Sequence, residues 1–117
     1  VKRGDISTVV PPREYGKPRP ALIIQSDTAS VAPNVIYIPI TSDLLRVPDL
    51  RVPIVPIAPS AENGLRLPSE IMVDIVQTSP REKFGQVIGH VDPLTLIRVE
   101  AALSMHLGLV DSPGGAN

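Results

Sequence analysis

The sequence predicts a small, mainly β domain finished by a single C-terminal helix. Proline makes up 14 of the 117 residues, about 12% against a usual 5%. Twelve of these prolines lie between Pro11 and Pro80, where they would break any helix repeatedly. The stretch after Pro93 runs free of proline until Pro113. Apolar residues nevertheless make up 43% of the chain, too many for a disordered Pro-rich segment, so the prolines punctuate a folded core. Six short β-rich runs recur between turn residues, at 5–10, 21–25, 34–40, 52–57, 71–78 and 86–91. Strands at this spacing make a small barrel.

Taken in order, each element has a local reason. In the fourth run Pro53 and Pro56 donate no ladder hydrogen bond, which makes it an edge strand or a bulged one. Asn63-Gly64 follows, the strongest turn signal in the chain because both residues tolerate positive φ. The run 71–78 reads as one strand whose alternation puts Met72, Asp74 and Val76 on one face. The helix begins after Asp92, a good N-cap, with Pro93 at the first helical position, and stops at Gly108. Leu96, Val99, Leu103 and Leu107 line one stripe, with Leu94, Ile97 and Ala101 beside it. So wide a face needs two neighbours: the barrel, and either more of the same core or a second subunit. Residues 1–110 therefore read as one domain, and 111–117 as a flexible Gly/Pro tail.

Composition narrows the chemistry. Eleven basic residues oppose twelve acidic ones, and there is no cysteine, which excludes thiol nucleophiles, zinc knuckles and redox chemistry. The longest apolar runs are four residues, as at 21–24, against the roughly 20 that a membrane helix needs. No apolar stretch follows Lys2 and Arg3 as a secretory signal would. A soluble, cytoplasmic protein with no membrane association is expected. No phosphate-binding glycine loop, dinucleotide fingerprint or serine elbow is present. No three metal ligands fall at suitable spacing, so neither a metal nor a cofactor is expected.

Three constellations remain. In Tyr15-Gly16-Lys17-Pro18-Arg19-Pro20 each proline pushes the residue before it, Lys17 or Arg19, towards extended backbone. The first 19 residues hold Lys2, Arg3, Arg13, Lys17 and Arg19 against Asp5 and Glu14, a local excess of positive charge that favours an anionic ligand. The same residues also suit a solvated hairpin loop. At Ile40-Thr41-Ser42-Asp43 an apolar strand meets a possible helical turn at 44–46; its hydroxyls and exposed N–H groups fit either a phosphate or a plain cap. Asp74 is the one charge in the run 71–76, with Gln77 and Arg81 just beyond. His90, in a His-x-Asp pair with Asp92, and His106 are the alternative: two imidazoles with pKa near 6.5 can serve as base and acid.

In order along the chain, Arg3-Gly4-Asp5-Ile6, Arg19-Pro20-Ala21-Leu22-Ile23-Ile24, Pro39-Ile40-Thr41-Ser42, Glu62-Asn63-Gly64-Leu65, Ser69-x-Ile71-x-Val73-Asp74, Pro80-Arg81, Ile88-Gly89 and Leu107-Gly108-Leu109 resemble the MazF/PemK toxin family. The resemblance implies an SH3-like barrel with a C-terminal helix. It also implies a homodimer that cuts single-stranded RNA, including messenger RNA, sequence-specifically and without metal, and so arrests translation. The partner implied is a cognate antitoxin with an acidic, partly disordered segment. The family's catalytic Arg and Thr fall on Arg19 and Thr41. RNA contacts are expected from Tyr15, Lys17, Ser42, Asp74, Gln77 and Arg81, with Tyr15 the one ring placed to stack on a base. The chain departs from the family in its short loop before Arg19 and in Met72, where some members carry Arg. Two non-catalytic readings compete. A CcdB-like gyrase poison of the same fold would need a C-terminal Trp-Gly-Ile, and this chain has no Trp. The other is a degenerate module that binds an antitoxin without cutting.

Overall fold

Strand β3 (Asn34–Thr41) is the axis of the computed structural model, which describes residues 1–10, 16–44 and 53–110. Around it stand β1 (Asp5–Val9), β2 (Arg19–Ile23), β4 (Ile54–Ile57), β5 (Ser69–Met72), β6 (Gln77–Pro80) and β7 (Phe84–His90), followed by helix α1 (Pro93–His106). The sheet order is β4-β5-β3-β2-β1-β7, all antiparallel, with β6 also on β3. β4, which carries Pro56, is a terminal strand, as its prolines require. The expected turn over 44–46 and the tail 111–117 lie outside the described residues, apart from Leu44.

The run 71–78 is not one strand. β3 pairs with β6 from Asn34↔Pro80 to Tyr37↔Gln77, and with β5 from Ile40↔Ile71 to Thr41↔Glu70. Only Ile38 and Pro39 therefore face the five residues 72–76. The ladder fails here because Pro39 has no N–H to offer, and the opposing chain bulges out as a turn closed by Ile75 N–H to the Met72 carbonyl at 2.9 Å. Asp74 sits in this turn, so the alternation that grouped it with Met72 and Val76 does not apply.

Both faces of the central strands are buried. Ile38 and Ile40 join Ile6, Leu22, Ile71 and Val99 in the larger cluster, while Val35 and Tyr37 join Val9, Ala21 and Ile23 in the smaller one. Fully buried Tyr37 meets Phe84 edge to face at 5.6 Å between ring centres. Its hydroxyl donates to Gln77 Oε1 at 2.8 Å.

Among the described residues the terminal strands β4 and β7 do not pair, so the expected barrel is not closed by a strand ladder. Yet Val55 and Ile57 of β4 share a core with Ile6 of β1 and with Val91, which follows β7. Only a strongly curled sheet achieves that. The remaining gap is bridged by the 58–68 strap between β4 and β5. His90 N–H donates to the Glu62 carbonyl at 2.9 Å, and the backbones touch so closely that a methyl on Gly89 would run into Glu62 and Asn63. Buried Asn63 shapes the strap from within: its Oδ1 accepts from Ser60 N–H and Leu65 N–H, and its Nδ2 donates to the Ala58 carbonyl. Gly64 takes φ +71° beside it, as the turn signal requires.

Helix α1 starts as expected. Asp92 Oδ1 accepts from Thr95 N–H at 2.6 Å with Pro93 in the first turn, and Gly108 ends the helix at φ +73°. Val99 is buried, and Leu96, Ala102 and Leu103 pack on the larger cluster. Leu94 and Ile97 stay 56% and 59% exposed, so the barrel covers only one flank of the apolar face. Arg3 ties the N-terminus to this helix through an ion pair with Glu100 at 2.6 Å and a bond to the Ile24 carbonyl.

Gly89→Ala is expected to destabilise the protein by about 2 kcal/mol, the cost of overpacking where backbone meets backbone, measured by urea unfolding. Hydrogen bonds from the backbone and side chain of Thr95 hold the Asp92 carboxyl below its ordinary 3.8. Because the folded pKa is the lower one, the cap's stabilisation is present above about pH 4 and is lost as pH falls through the folded value. Asp92→Ala should lower the midpoint of thermal unfolding at pH 7, and the gap from the unsubstituted protein should close at pH 2.

Candidate active site at the open end of the sheet

The register of β2 against β3 runs from Ile23↔Tyr37 to Ala21↔Pro39 and stops. Continued two residues further, it would set Arg19 directly against Thr41. The next position on β2 is Pro20, whose amide would face β3 and has no proton to donate, so the ladder ends. The sheet opens there into a cleft of about 560 Å³. Arg19 and Thr41, 22 positions apart in sequence, both line it, with Ser42, Asp43 and Gln77. Pro18 and Pro20 hold the backbone around Arg19 extended, which is why β2 begins at Arg19 rather than at Ala21.

The hydroxyl of Thr41 has a defined task already. Its Oγ1 accepts from Asp43 N–H at 3.0 Å, a local turn that fixes the side chain. With that lone pair engaged, the O–H is the end left to donate, which suits a phosphate oxygen. Gln77 is fixed in a similar way: Oε1 accepts from Tyr37, leaving the amide Nε2 as the donor at the cleft. The lining holds two guanidinium groups, Arg19 and Arg66, and one carboxylate, Asp43.

The remaining candidates are placed elsewhere or not described. Tyr15 lies outside the described residues, as does Arg13. Of Lys2, Arg3, Lys17 and Arg19, only Arg19 lines the cleft, and Arg3 is engaged with Glu100. Among the described residues the local charge excess is therefore not gathered at the cleft. Asp74, in the bulge turn, is not among the lining residues. Arg81 is directed away: its Nε and a terminal nitrogen both donate to the Ala32 carbonyl, at 3.1 and 2.9 Å, pinning the loop before β3. His90 pairs with Asp5 while Arg19 pairs with Val9, at the opposite end of β1. Neither His90 nor His106 lines the cleft. No three His, Asp or Glu come together among the described residues.

Sequence reasoning missed most of the other half of the wall: Leu65, Arg66 and Leu67 from the strap, with Ile75 from the bulge; Met72, noted only as a departure from the family's Arg, lines it too. It also missed Glu70, directly across from Thr41 on β5. The Asn63-Gly64 signal marked a reversal there without saying what the strap would face.

The family model for PemK-like, MazF-like toxins of type II toxin–antitoxin systems matches residues 2–107. The chain belongs to this family. It is similar to the probable endoribonuclease MazF of Mycolicibacterium smegmatis, 36% identical over 110 residues that cover 93% of this chain and 98% of that protein. It is also similar to the endoribonuclease EndoA of Bacillus subtilis, 29% identical over 95% of this chain and 97% of that one. Among solved structures, the Mycobacterium tuberculosis toxin MazF-mt6 superposes with a TM-score of 0.71 at 28% identity, covering 89% and 96% of the two chains. A mycobacterial endoribonuclease in complex with its cognate antitoxin shares the fold, with a TM-score of 0.75 at 22% identity over 94% and 97%. No described helix of this toxin-family chain is long and apolar enough to cross a membrane.

Proposed function

We propose that this chain is the toxin of a type II pair and cleaves single-stranded RNA in the cleft between Arg19 and Thr41. The observation that carries the reading is that both residues line one cleft at the point where the β2–β3 ladder ends. Two relatives named as endoribonucleases, matched over nearly their whole length, support it. The reaction is attack of a ribose 2′-hydroxyl on the adjacent phosphorus. The 2′-oxygen loses its proton, the bond to the 5′-oxygen breaks, and that oxygen leaves with a proton. Products are a 2′,3′-cyclic phosphate and a 5′-hydroxyl.

Arg19 supplies charge stabilisation. A guanidinium binds phosphate oxygens through two parallel bonds and stays protonated, so it clamps the negative charge that builds on phosphorus. Thr41, its lone pair held by Asp43 N–H, donates its proton to a phosphate oxygen and keeps the scissile group in line for attack. Gln77 and Ser42 add donors at the same surface. The guanidinium places a positive charge at the phosphate and the neutral Thr41 hydroxyl adds a directed donor, so cleavage independent of a bound metal is expected.

Residues 1–110 act as the toxin domain, working in the cytoplasm where messenger RNA is met. The family description, and a related structure solved with its cognate antitoxin, support an antitoxin partner; an acidic segment lying across Arg19 would exclude RNA. The uncovered flank of α1 at Leu94 and Ile97 supports a homodimer.

Arg19→Ala should slow cleavage of a short RNA by about 10²–10³, roughly 3–4 kcal/mol of transition-state stabilisation. Arg19→Lys should recover part, Thr41→Ala should be severe and Thr41→Ser mild. A folded His90→Ala/His106→Ala variant should cut at near the unsubstituted rate, with no bell-shaped pH profile near 6 to 7 and no loss in EDTA. A folded double-His variant that is inactive, beside an active Arg19→Ala, would reject the assignment. Light scattering should give about twice 12.5 kDa for the protein and one protomer's mass for Leu94→Glu/Ile97→Glu.

A further inference from the structure

The cleft holds a second cation that the chemistry above does not use. Arg66 lines the same cleft as Arg19 and Thr41. Its side chain is exposed and has no hydrogen bond or ion pair among the described residues, whereas Arg3 is tied to Glu100 and Arg81 to the Ala32 carbonyl. The backbone carrying it is fixed on both sides. Leu65 N–H donates to Asn63 Oδ1 at 2.9 Å, and the Leu67 carbonyl accepts from Ser69 Oγ at 2.8 Å. The strap itself is locked onto β7 at Gly89. A guanidinium with no internal partner is thus presented from a rigid base.

Its place in the topology says what it meets. β3 lies between β2 and β5. Thr41, near the cleft end of β3, therefore stands between Arg19 at the start of β2 and Arg66 just ahead of β5. Two cations lining one cleft with the hydroxyl fit an anion with successive charges better than a single phosphate. We propose that Arg66 is a positioning residue that bonds an RNA phosphate neighbouring the one held by Arg19 and Thr41. This rests on the RNA-cleaving reading of the cleft. A contact to a phosphate that does not react is equal in the bound substrate and the transition state, so it acts on KM and leaves kcat alone. Arg19 does the reverse.

The test uses a short RNA carrying 2′-O-methyl groups throughout, which lacks the attacking hydroxyl, with binding followed by fluorescence anisotropy between about 50 and 200 mM salt. Cleavage of the unmodified RNA is measured alongside. Arg66→Ala should bind about fivefold more weakly, the order of one exposed charge pair. Its log–log salt dependence should be shallower by about 0.7, the share of one phosphate contact on a single strand. KM should rise by the same factor with kcat unchanged, and Arg66→Lys should restore most of the affinity. Lys83→Ala removes an exposed cation outside the cleft and should change neither quantity. Equal affinity and slope for Arg66→Ala and the unsubstituted protein would overturn the proposal. So would an equal loss in Lys83→Ala, which means net charge alone, or a loss confined to kcat. Unsubstituted protein that leaves the unmodified RNA intact would instead overturn the RNA-cleaving reading beneath it.

Discussion

Two missing amide protons set the shape of this protein's working end. Pro20, near the start of β2, lacks the N–H that would carry the ladder to β3 beyond Ala21↔Pro39. On the other edge of β3, Pro39 faces the interval where β5 and β6 part. Ile24 N–H bonds the Ile36 carbonyl, so residues 36 and 38 turn their amides to β2 and residue 39 turns to the opposite edge; each proline thus removes a donor from one side of the central strand. The sheet remains continuous because β3 is held further along by β2, β6 and two buried clusters. Past Pro39 the strand stays paired with β5 through Thr41↔Glu70 but parts from β2, and the cleft opens at this parting.

That opening is useful only because its walls are stiff. On one side Pro18 and Pro20 restrict the backbone around Arg19. On the other, buried Asn63 and the close contact at Gly89 hold the strap against β7. The strap also stands in for the strand pairing that would have closed the barrel between β4 and β7. A substitution that loosens it would disturb the fold and the cleft together, since the same backbone forms the far wall of the site.

Much of this was legible in the sequence, for local reasons. Asp92-Pro93 as a helix start, Gly108 as its stop, Asn63-Gly64 as a reversal and the proline-bearing edge strand β4 each rest on the φ preferences and missing donors of one or two residues. The division of the run 71–78 was not legible, because its cause, Pro39, lies more than thirty residues away and acts only once the strands are paired. For the same reason Arg19 and Thr41 stood out singly while Arg66 and Ile75 did not. A strap residue gains meaning from what it faces across the fold, and the sequence does not carry that register. Arg81 shows the converse: a basic residue at a strand end reads as a ligand contact until a nearby carbonyl, here that of Ala32, takes its donors.

The cleft's chemistry follows from which effect its side chains can supply. The described lining contains no imidazole, and a guanidinium is a poor proton carrier because it stays protonated. Efficient acid–base catalysis at neutral pH wants a group with pKa near 7; electrostatic stabilisation wants donors already aimed at the developing charge. The site is built for the second. Thr41 is oriented by Asp43 N–H, Gln77 by the Tyr37 hydroxyl and Arg19 by its flanking prolines, so little reorganisation remains when phosphorus gains charge. The same reasoning explains how a chain of net charge −1 engages a polyanion. Affinity need not come from a broad basic face when a narrow opening carries both Arg19 and Arg66; on the proposed reading, a field concentrated there would place the backbone with its scissile phosphate beside Thr41.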